Sequence, residues 1–363
     1  MKRLILFLFL CSISTGLYAQ VWTDAASLPL YGKGVEETYT IYSRLPSSLE
    51  TVCRPPVWRL GQNSAGLYLR FQTDSPTLWV KWETLRSHVM DHMCPTGSCG
   101  LDLYVLVDGQ WRFLTAARPK LGNKETTRKI MQDMKPQMRE YMLYLSLYDG
   151  VVDLFIGTDE GHPVLPSEVT SPRDDRPIVM YGSSITQGGC VSRPGMCYTS
   201  ILSRRLDREF VNLGFSGNGY LDLEIASMMA SVPDPALYII ACTENAKPDH
   251  FAQRGEDFFR ILRDAHPDVP VIFVQKVRYS HSLLNVKQAE RMVLKMEACR
   301  ALYDKLRKSG EKNLYFYDPG EDPSFDDMES SVDGIHLTDL GATRFADGIQ
   351  PVIRKALRRA GIR

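Results

Sequence analysis

The chain has 363 residues, and at roughly 150 residues per domain this length predicts about two domains. A composition of 44% hydrophobic and 24% charged residues supports a sizeable core and excludes a chain that is disordered throughout. The 43 lysines and arginines balance the 43 aspartates and glutamates, so no basic excess is left to neutralise a phosphate backbone, and nucleic acid is excluded as an expected partner.

Residues 1–19 have the pattern of a secretory signal peptide. The pair Lys2-Arg3 precedes an apolar run from Leu4 to Leu10, and the small Ala19 marks a cleavage site before Gln20. Lipid anchoring at Cys11 is disfavoured because bulky rather than small residues precede it. We therefore expect a secreted or periplasmic protein with no membrane-spanning segment after cleavage.

Seven of the eight cysteines remain after that cleavage. Export permits disulfides, and the spacings Cys94–Cys99 and Cys190–Cys197 are short enough for each pair to close a local loop. Buried, unpaired thiols explain the same pattern equally well.

Residues 20–162 contain short runs rich in β-branched and aromatic residues, which predict an antiparallel, jelly-roll-like β-sandwich. Asp108-Gly109 and Asp149-Gly150 each separate two such runs and signal hairpins. The basic, methionine-rich stretch 128–139 is predicted to be a solvated helix or loop. The predicted strands are Leu67–Phe71, Leu78–Trp82, Leu103–Val107, Tyr141–Tyr148 and Val151–Ile156.

A proline-rich linker, residues 163–176, leads into an alternation of strands and helices over residues 177–363. This alternation predicts a three-layer, flavodoxin-like α/β domain whose functional groups lie at the carboxyl ends of parallel strands. The predicted strands are Ile178–Tyr181, Phe210–Gly214, Leu237–Cys242, Val271–Gln275 and Leu314–Tyr317. The predicted helices are Tyr198–Arg208, Phe251–Ala265, Val286–Lys308 and Thr338–Arg359, with Thr338 as an N-cap.

Polar residues suited to acyl-transfer chemistry follow several of these strands. Ser184 stands on a glycine-flanked turn after the first strand, Gly217 follows the second and Asn245 follows the third. His336 lies three residues after Asp333, close enough for the carboxylate to orient the imidazole. Taken singly, each of these segments is explained as well or better by an ordinary turn, loop or helix cap.

Together and in this order, the four segments resemble the SGNH (GDSL-like) hydrolase family. The resemblance implies a catalytic triad of Ser184, Asp333 and His336, and an oxyanion hole formed by the Ser184 N–H, the Gly217 N–H and the Asn245 side chain. It implies no cofactor and no metal. The earlier segment Gly100-Leu101-Asp102-Leu103-Tyr104 resembles the G-x-D-L-Y sandwich domain that precedes one branch of these hydrolases.

The chain departs from the family pattern at two points. Gly182-Ser183-Ser184 stands where the family usually has Gly-Asp-Ser. The third segment, Ala241-Cys242-Thr243-Glu244-Asn245, lacks the Asp and Pro of this branch's Asp-Cys-x-Pro-Asn pattern, which makes Asn245 the least secure oxyanion donor.

Two other sets of residues are weaker candidates. His88 and His92 have the i, i+4 spacing of zinc ligands if the segment is helical, but the glutamate of a His-Glu-x-x-His motif is missing. His281, in the loop after the fourth strand of the second domain, lies at the expected active edge, where a solvated loop histidine explains it better than a substrate contact does.

The resemblance implies a secreted esterase, and we expect its substrate to be an acyl ester, most simply acetyl, on carbohydrate. A lipid ester is the alternative substrate, although the sequence shows no long apolar lid segment. A glycan-binding protein with an impaired hydrolase domain is the alternative that is not an enzyme.

Overall fold

The computed structural model describes residues 20–169 and 176–362. The predicted signal peptide, with Cys11, and the last part of the predicted linker lie outside the described residues. No helix within the described ranges is long and apolar enough to cross a membrane.

The N-terminal half is an antiparallel β-sandwich, as predicted. One sheet has the strand order β1-β9-β4-β7, and the other has the order β10-β3-β8-β5-β6 with β2 beside β3. Large apolar side chains such as Phe71, Trp82 and Tyr141 fill the space between the sheets. The strands are β1 (Gln20–Asp24), β2 (Leu30–Tyr31), β3 (Tyr68–Thr73), β4 (Leu78–Thr84), β5 (Leu101–Val107), β6 (Gln110–Ala117), β7 (Glu125–Met131), β8 (Arg139–Tyr144), β9 (Val151–Asp159) and β10 (Leu165–Pro166).

One of the two predicted hairpins is confirmed and the other is wrong. Asp108 and Gly109 adopt φ values of 51° and 72° and join the paired strands β5 and β6. Asp149-Gly150 instead connects β8 to β9, which belong to different sheets. The buried Asp149 carboxylate accepts hydrogen bonds from the backbone N–H groups of Arg86 (3.0 Å) and His88 (2.8 Å), so this residue holds a neighbouring loop rather than forming a hairpin turn.

The prediction of a solvated helix or loop over residues 128–139 is also wrong in part. Residues up to Met131 belong to β7, which pairs with β4 at the edge of its sheet. The charged side chains of β7 are largely exposed, because an edge strand presents one face and one edge to solvent. The charged residues of this stretch therefore correctly indicated exposure to solvent, but they did not indicate that part of it forms a β-strand.

The C-terminal half is the predicted three-layer α/β domain. Its five parallel strands have the order β12-β11-β13-β14-β15. They are β11 (Ile178–Gly182), β12 (Phe210–Gly214), β13 (Leu237–Ala241), β14 (Val271–Val274) and β15 (Leu314–Tyr317).

Helices cover both faces of this parallel sheet. Alternate residues of β11 point to opposite layers: Ile178 packs with Phe345 of one layer, and Tyr181 packs with Phe258 of the other. Thr338 caps the last helix by accepting a hydrogen bond from the Gly341 N–H (3.1 Å), as predicted. The helices are α1 (Pro55–Gly61), α2 (Pro95–Ser98), α3 (Ser184–Gln187), α4 (Tyr198–Leu206), α5 (Leu223–Ala230), α6 (Pro248–Ala265), α7 (Val286–Lys308) and α8 (Asp339–Arg359).

The cysteines of the described residues all carry free thiols. Cys94 is exposed and the other six are buried, so the structure agrees with the interpretation of these residues as unpaired thiols and closes neither of the two short loops.

Arg44 connects the two halves of the chain. Its side chain is buried and donates hydrogen bonds to the carbonyl oxygens of Leu60 (2.6 Å) and Asn63 (2.9 Å). It also donates to the carbonyl oxygens of Asn212 (2.9 Å) and Gly214 (2.8 Å) at the end of β12. One guanidinium thus satisfies acceptors on both sides of the junction.

Replacing Arg44 with Met should destabilise the protein strongly. The substitution keeps an apolar stem but removes the guanidinium donor of four carbonyl oxygens, of which that of Leu60 still accepts the Asn63 N–H. Each buried group left unsatisfied costs about 1–3 kcal/mol. We expect the free energy of unfolding, measured by urea denaturation, to fall by at least about 3 kcal/mol. The control Arg112→Met, at an exposed position of β6, should change it by less than about 0.5 kcal/mol. Equal urea midpoints for the two variants would contradict this role of Arg44.

Candidate active site

Ser184 lies at the point where β11 ends and α3 begins. The preceding residue, Ser183, is the N-cap of α3, and its hydroxyl accepts a hydrogen bond from the Ile185 N–H (3.3 Å). The Ser184 side chain therefore stands at the amino end of a short helix and at the carboxyl edge of the parallel sheet. Ser184 is only 6% exposed, so a reacting hydroxyl there is largely shielded from water.

Two glycines allow the backbone of α3 to lie directly on the sheet. A Cβ atom on Gly182 would come within 2.6 Å of the Ala241 carbonyl oxygen, and one on Gly214 would collide with the backbone of Thr186 and Gln187. Any side chain at these positions would displace α3 and, with it, Ser184.

His336 and Asp333 complete a continuous hydrogen-bonded chain with Ser184. His336 Nε2 lies 2.9 Å from Ser184 Oγ, and His336 Nδ1 lies 2.7 Å from Asp333 Oδ2. The other carboxylate oxygen of Asp333 accepts the N–H groups of Ile335 (3.0 Å) and His336 (2.8 Å). The structure therefore brings together the three residues that the sequence pattern singled out.

The environment of Asp333 keeps its carboxylate ionised. Partial burial acts to raise its pKa, but the hydrogen bonds from the backbone and ring of His336 outweigh burial and lower the pKa to about 2. A permanent negative charge beside Nδ1 favours the tautomer that leaves Nε2 free to accept a proton.

The loop that carries Asp333 and His336 is held at both ends. Ser331 and Leu337 form an antiparallel bridge, and the Val332 N–H donates to the His336 carbonyl oxygen (2.8 Å). The exposed His281 lies against Gly334 of this loop, where an added Cβ would be 2.7 Å from its ring. His281 thus reaches the active edge, as its position in the sequence indicated, and there it packs against the loop of the catalytic candidates.

The two remaining oxyanion candidates lie in neighbouring loops. Gly217 adopts φ +67° in the loop after β12, with no atom within 4 Å of the position of a Cβ, so the space beside it is open. Asn245 Nδ2 donates to the carbonyl oxygen of Asn218 (2.8 Å), the residue after Gly217. Asn245 therefore ties the loop of Gly217 to the end of β13, and its amide group has a second N–H to offer.

The segment before Asn245, which departs from the family pattern, contains a buried acidic residue, Glu244. The Ser183 hydroxyl donates to Glu244 Oε2 (3.4 Å), and Lys295 Nζ donates to the Glu244 carbonyl oxygen (2.7 Å). Burial raises the pKa of the Glu244 carboxyl and lowers that of Lys276, and the two groups attract each other when both are charged. An aspartate at position 183, the usual family residue, would place a second carboxylate against Glu244, so the two departures from the family pattern fit each other.

The sandwich half touches the serine turn directly. Tyr148 Oη donates to the Ser184 carbonyl oxygen (3.3 Å), and Gln187 Nε2 donates to the Leu147 carbonyl oxygen (3.0 Å). A cleft of about 200 Å³ beside this turn is lined by Tyr148, by Ser216 and by sandwich-side residues that include Arg86. Residues of the N-terminal half therefore line a cleft that includes Tyr148, whose hydroxyl contacts the Ser184 carbonyl oxygen.

The G-x-D-L-Y segment makes a second connection between the halves. The buried Asp102 carboxylate accepts hydrogen bonds from Arg193 Nη1 (2.8 Å) and from the Gly195 N–H (2.9 Å) in the loop before α4. Burial raises the pKa of Asp102 to about 6 even though Arg193 opposes the shift. The aspartate of this motif thus orders a loop of the hydrolase half.

The sequence interpretation missed two residues near the triad. The segment around His88 and His92 is not helical, so the expected i, i+4 zinc pair does not form. His92 instead lies against the active site, with its ring centroid 5.6 Å from that of His336. Cys190, at φ 71°, contributes a buried thiol to the same place; burial raises the thiol pKa to about 12, so it is protonated and not a competing nucleophile. No local sequence signal connects residues so distant along the chain.

Two family models together match most of the chain. Residues 175–354 match the GDSL-like lipase/acylhydrolase family. Residues 20–164 match the GxDLY model, which describes the N-terminus of SGNH-hydrolase-type esterases. Comparison with curated protein sequences finds no match.

Three solved structures resemble the chain over most of its length. A protein from Bacteroides ovatus described as a GDSL-like lipase is 35% identical, covers 94% of this chain and 98% of its own, and superposes with a TM-score of 0.88. A salicylyl-acyltransferase from a tetracycline biosynthetic pathway is 18% identical over 88% of this chain and 91% of its own, with a TM-score of 0.69. A family two carbohydrate esterase from Cellvibrio japonicus is 13% identical over 94% of this chain and 99% of its own, with a TM-score of 0.60. The last two likenesses show a common fold alone.

An Asp333→Asn variant should lose stability in a pH-dependent way. A folded-state pKa of about 2, below the ordinary 3.8, stabilises the fold above pH 3.8, and this contribution disappears as the pH falls towards 2. The loss of unfolding free energy in the variant, measured by urea denaturation, should be largest above about pH 4 and shrink towards about pH 2. The control Asp108→Asn, at the exposed hairpin turn, should show no such trend. A difference from wild type that is independent of pH would contradict the lowered pKa.

Proposed function

The chain belongs to the GDSL-like lipase/acylhydrolase family and is an ester hydrolase, and we propose that Ser184 is its nucleophile, acting with His336 and Asp333. The observation that carries this proposal is the hydrogen-bonded chain from Ser184 Oγ through the imidazole to the Asp333 carboxylate, with distances of 2.9 Å and 2.7 Å.

In the first half of the reaction, the Ser184 hydroxyl attacks the ester carbonyl carbon while His336 Nε2 takes its proton. The ionised Asp333 stabilises the imidazolium that forms. Hydrogen bonds from the Ser184 N–H, the Gly217 N–H and the Asn245 amide stabilise the negative charge on the former carbonyl oxygen. His336 then protonates the leaving alcohol, and an acyl group remains on Ser184.

In the second half, water replaces the alcohol. His336 removes a proton from the water as it attacks the acyl-enzyme, the same three donors hold the oxyanion, and the carboxylic acid leaves as Ser184 regains its proton. Both halves use the same proposed triad and the same three proposed oxyanion donors.

We propose an acetyl or similarly short acyl ester on carbohydrate as the substrate. The cleft of about 200 Å³ next to Tyr148 is small, and Asn63, Arg86 and His88 in its lining offer hydrogen-bonding groups to a hydroxyl-rich substrate. The likeness in fold to the Cellvibrio japonicus carbohydrate esterase supports the same class. A long-chain lipid ester is the alternative that the substrate test below separates.

We further propose that the protein acts after export. The charged and apolar regions of residues 1–19 support this. Extracellular or periplasmic polysaccharide would then be accessible as substrate.

Ser184→Ala should abolish hydrolysis of p-nitrophenyl acetate and of acetylated xylan, because no other hydroxyl replaces the one at His336 Nε2. The matched control is Ser183→Ala: this adjacent serine points to Glu244 rather than to His336, so the variant should retain measurable turnover. Unchanged turnover in Ser184→Ala would overturn the assignment.

Asn245→Ala should lower kcat by about 10²–10³-fold, the usual cost of one oxyanion donor.

The same preparations identify the substrate class. Release of acetate from acetylated xylan or mannan, without release of fatty acid from triglyceride or phospholipid, is expected. The reverse preference would replace the carbohydrate proposal with a lipid one while leaving the nucleophile assignment intact.

A further inference from the structure

Three side chains able to ligate a metal converge beside the candidate nucleophile. His92, Cys190 and His336 each offer one ligand atom, and these atoms all lie within 4.8 Å of one another. They come from three separate parts of the chain: the loop after β4, the turn after α3 and the loop before α8. The mechanism proposed above uses only His336 of the three.

Each histidine has a carboxylate within hydrogen-bond distance of Nδ1: a partly buried one, Asp333, at His336 and an exposed one, Asp91, at His92. His92 Nδ1 lies 2.9 Å from Asp91 Oδ1, and His336 Nδ1 lies 2.7 Å from Asp333 Oδ2. In protein zinc sites, a carboxylate on one ring nitrogen fixes the imidazole so that the other nitrogen binds the metal. Here that arrangement is present twice, and it leaves Nε2 of each ring as the nitrogen available to a metal.

Cys190 contributes a sulfur to the cluster. It is buried and adopts φ 71°, a conformation that a residue with a side chain rarely takes, immediately after Gly188 and Gly189. Two imidazole nitrogens and one thiolate form a donor set that favours Zn²⁺ over the oxygen-preferring Mg²⁺ and Ca²⁺.

The cluster needs only a small contraction to hold Zn²⁺. With Zn–N bonds of about 2.0–2.1 Å and Zn–S bonds of about 2.3 Å, donors in a tetrahedral site lie roughly 3.4–3.6 Å apart. Ligand atoms up to 4.8 Å apart must therefore approach one another by at most about 1.4 Å. His92 can supply this movement, because its side chain is 36% exposed on a loop outside the helices and strands.

We propose that His92, Cys190 and His336 form a Zn²⁺ site that switches the enzyme off. The metal replaces the thiol proton of Cys190, which passes to solvent, and takes the Nε2 lone pair of His336. An imidazole bound in this way has no free nitrogen to accept the proton of Ser184. The inhibitory consequence rests on the proposed function, whereas the metal site itself does not.

Binding is tested without an activity readout. Zn²⁺ titrated into the full exported chain and followed by calorimetry should bind one equivalent, and Co²⁺ should give a thiolate-to-cobalt charge-transfer band. His92→Ala should weaken Zn²⁺ binding by at least about tenfold, the lower range of loss seen even for residues that only orient a ligand. Cys190→Ser should remove the band. His88→Ala and Cys94→Ser, which alter a nearby exposed histidine and thiol outside the cluster, should change neither result.

Inhibition is measured separately on the same variants. Zn²⁺ should inhibit p-nitrophenyl acetate hydrolysis by wild type reversibly, a chelator should restore it, and the inhibitory concentration should rise at least about tenfold in His92→Ala. Ser184→Ala, although inactive, should still bind Zn²⁺, so a failure of the proposed nucleophile leaves the site testable. Absence of Zn²⁺ binding, or binding lost in His88→Ala or Cys94→Ser but kept in His92→Ala and Cys190→Ser, would overturn the proposal.

Discussion

The close packing of α3 on the ends of β11 and β12 is the constraint on which the active site depends. Gly182 and Gly214 leave no room for a Cβ atom, so the helix that starts at Ser184 lies closer to the sheet than any side chain would permit. From this position Gln187 accepts a hydrogen bond from the Ser216 N–H (2.9 Å), which joins the serine turn to the loop of Gly217. The candidate nucleophile and one candidate oxyanion donor are therefore positioned by the same short helix.

The sandwich half makes direct contacts with the half of the chain that carries the candidate active site. Arg44 and Asp102 are buried polar side chains whose partners lie in the other half of the chain, and Tyr148 reaches the carbonyl group of Ser184 itself. Such groups are costly to bury unless they are paired, so the paired state holds the two halves in one arrangement. This explains how a domain without catalytic candidates can shape the surroundings of the candidate active site.

Much of the fold could be predicted from the sequence because periodic apolar runs report burial. All five parallel strands and helix α7 lie where the pattern places them, and Ser184, Asp333 and His336 meet as their order along the chain indicated. Features set by distant partners could not be predicted. Asp149 is part of a sequence typical of a hairpin turn, but in the structure its carboxylate accepts hydrogen bonds from the backbone of Arg86 and His88. His92 and Cys190 are distant in the sequence and come together only in the tertiary structure. The serine at position 183, in place of the usual aspartate, is explained by the contact of Ser183 with Glu244.

The central claim is that Ser184 carries the acyl group during turnover, and the most direct test is to observe that intermediate. Wild-type protein turning over an acetyl ester is quenched rapidly in acid, digested and analysed by tandem mass spectrometry. The account predicts one acetyl group on Ser184 and none on the adjacent Ser183. An acetyl group on another residue, or turnover with no acetylated peptide at any quench time, would contradict it.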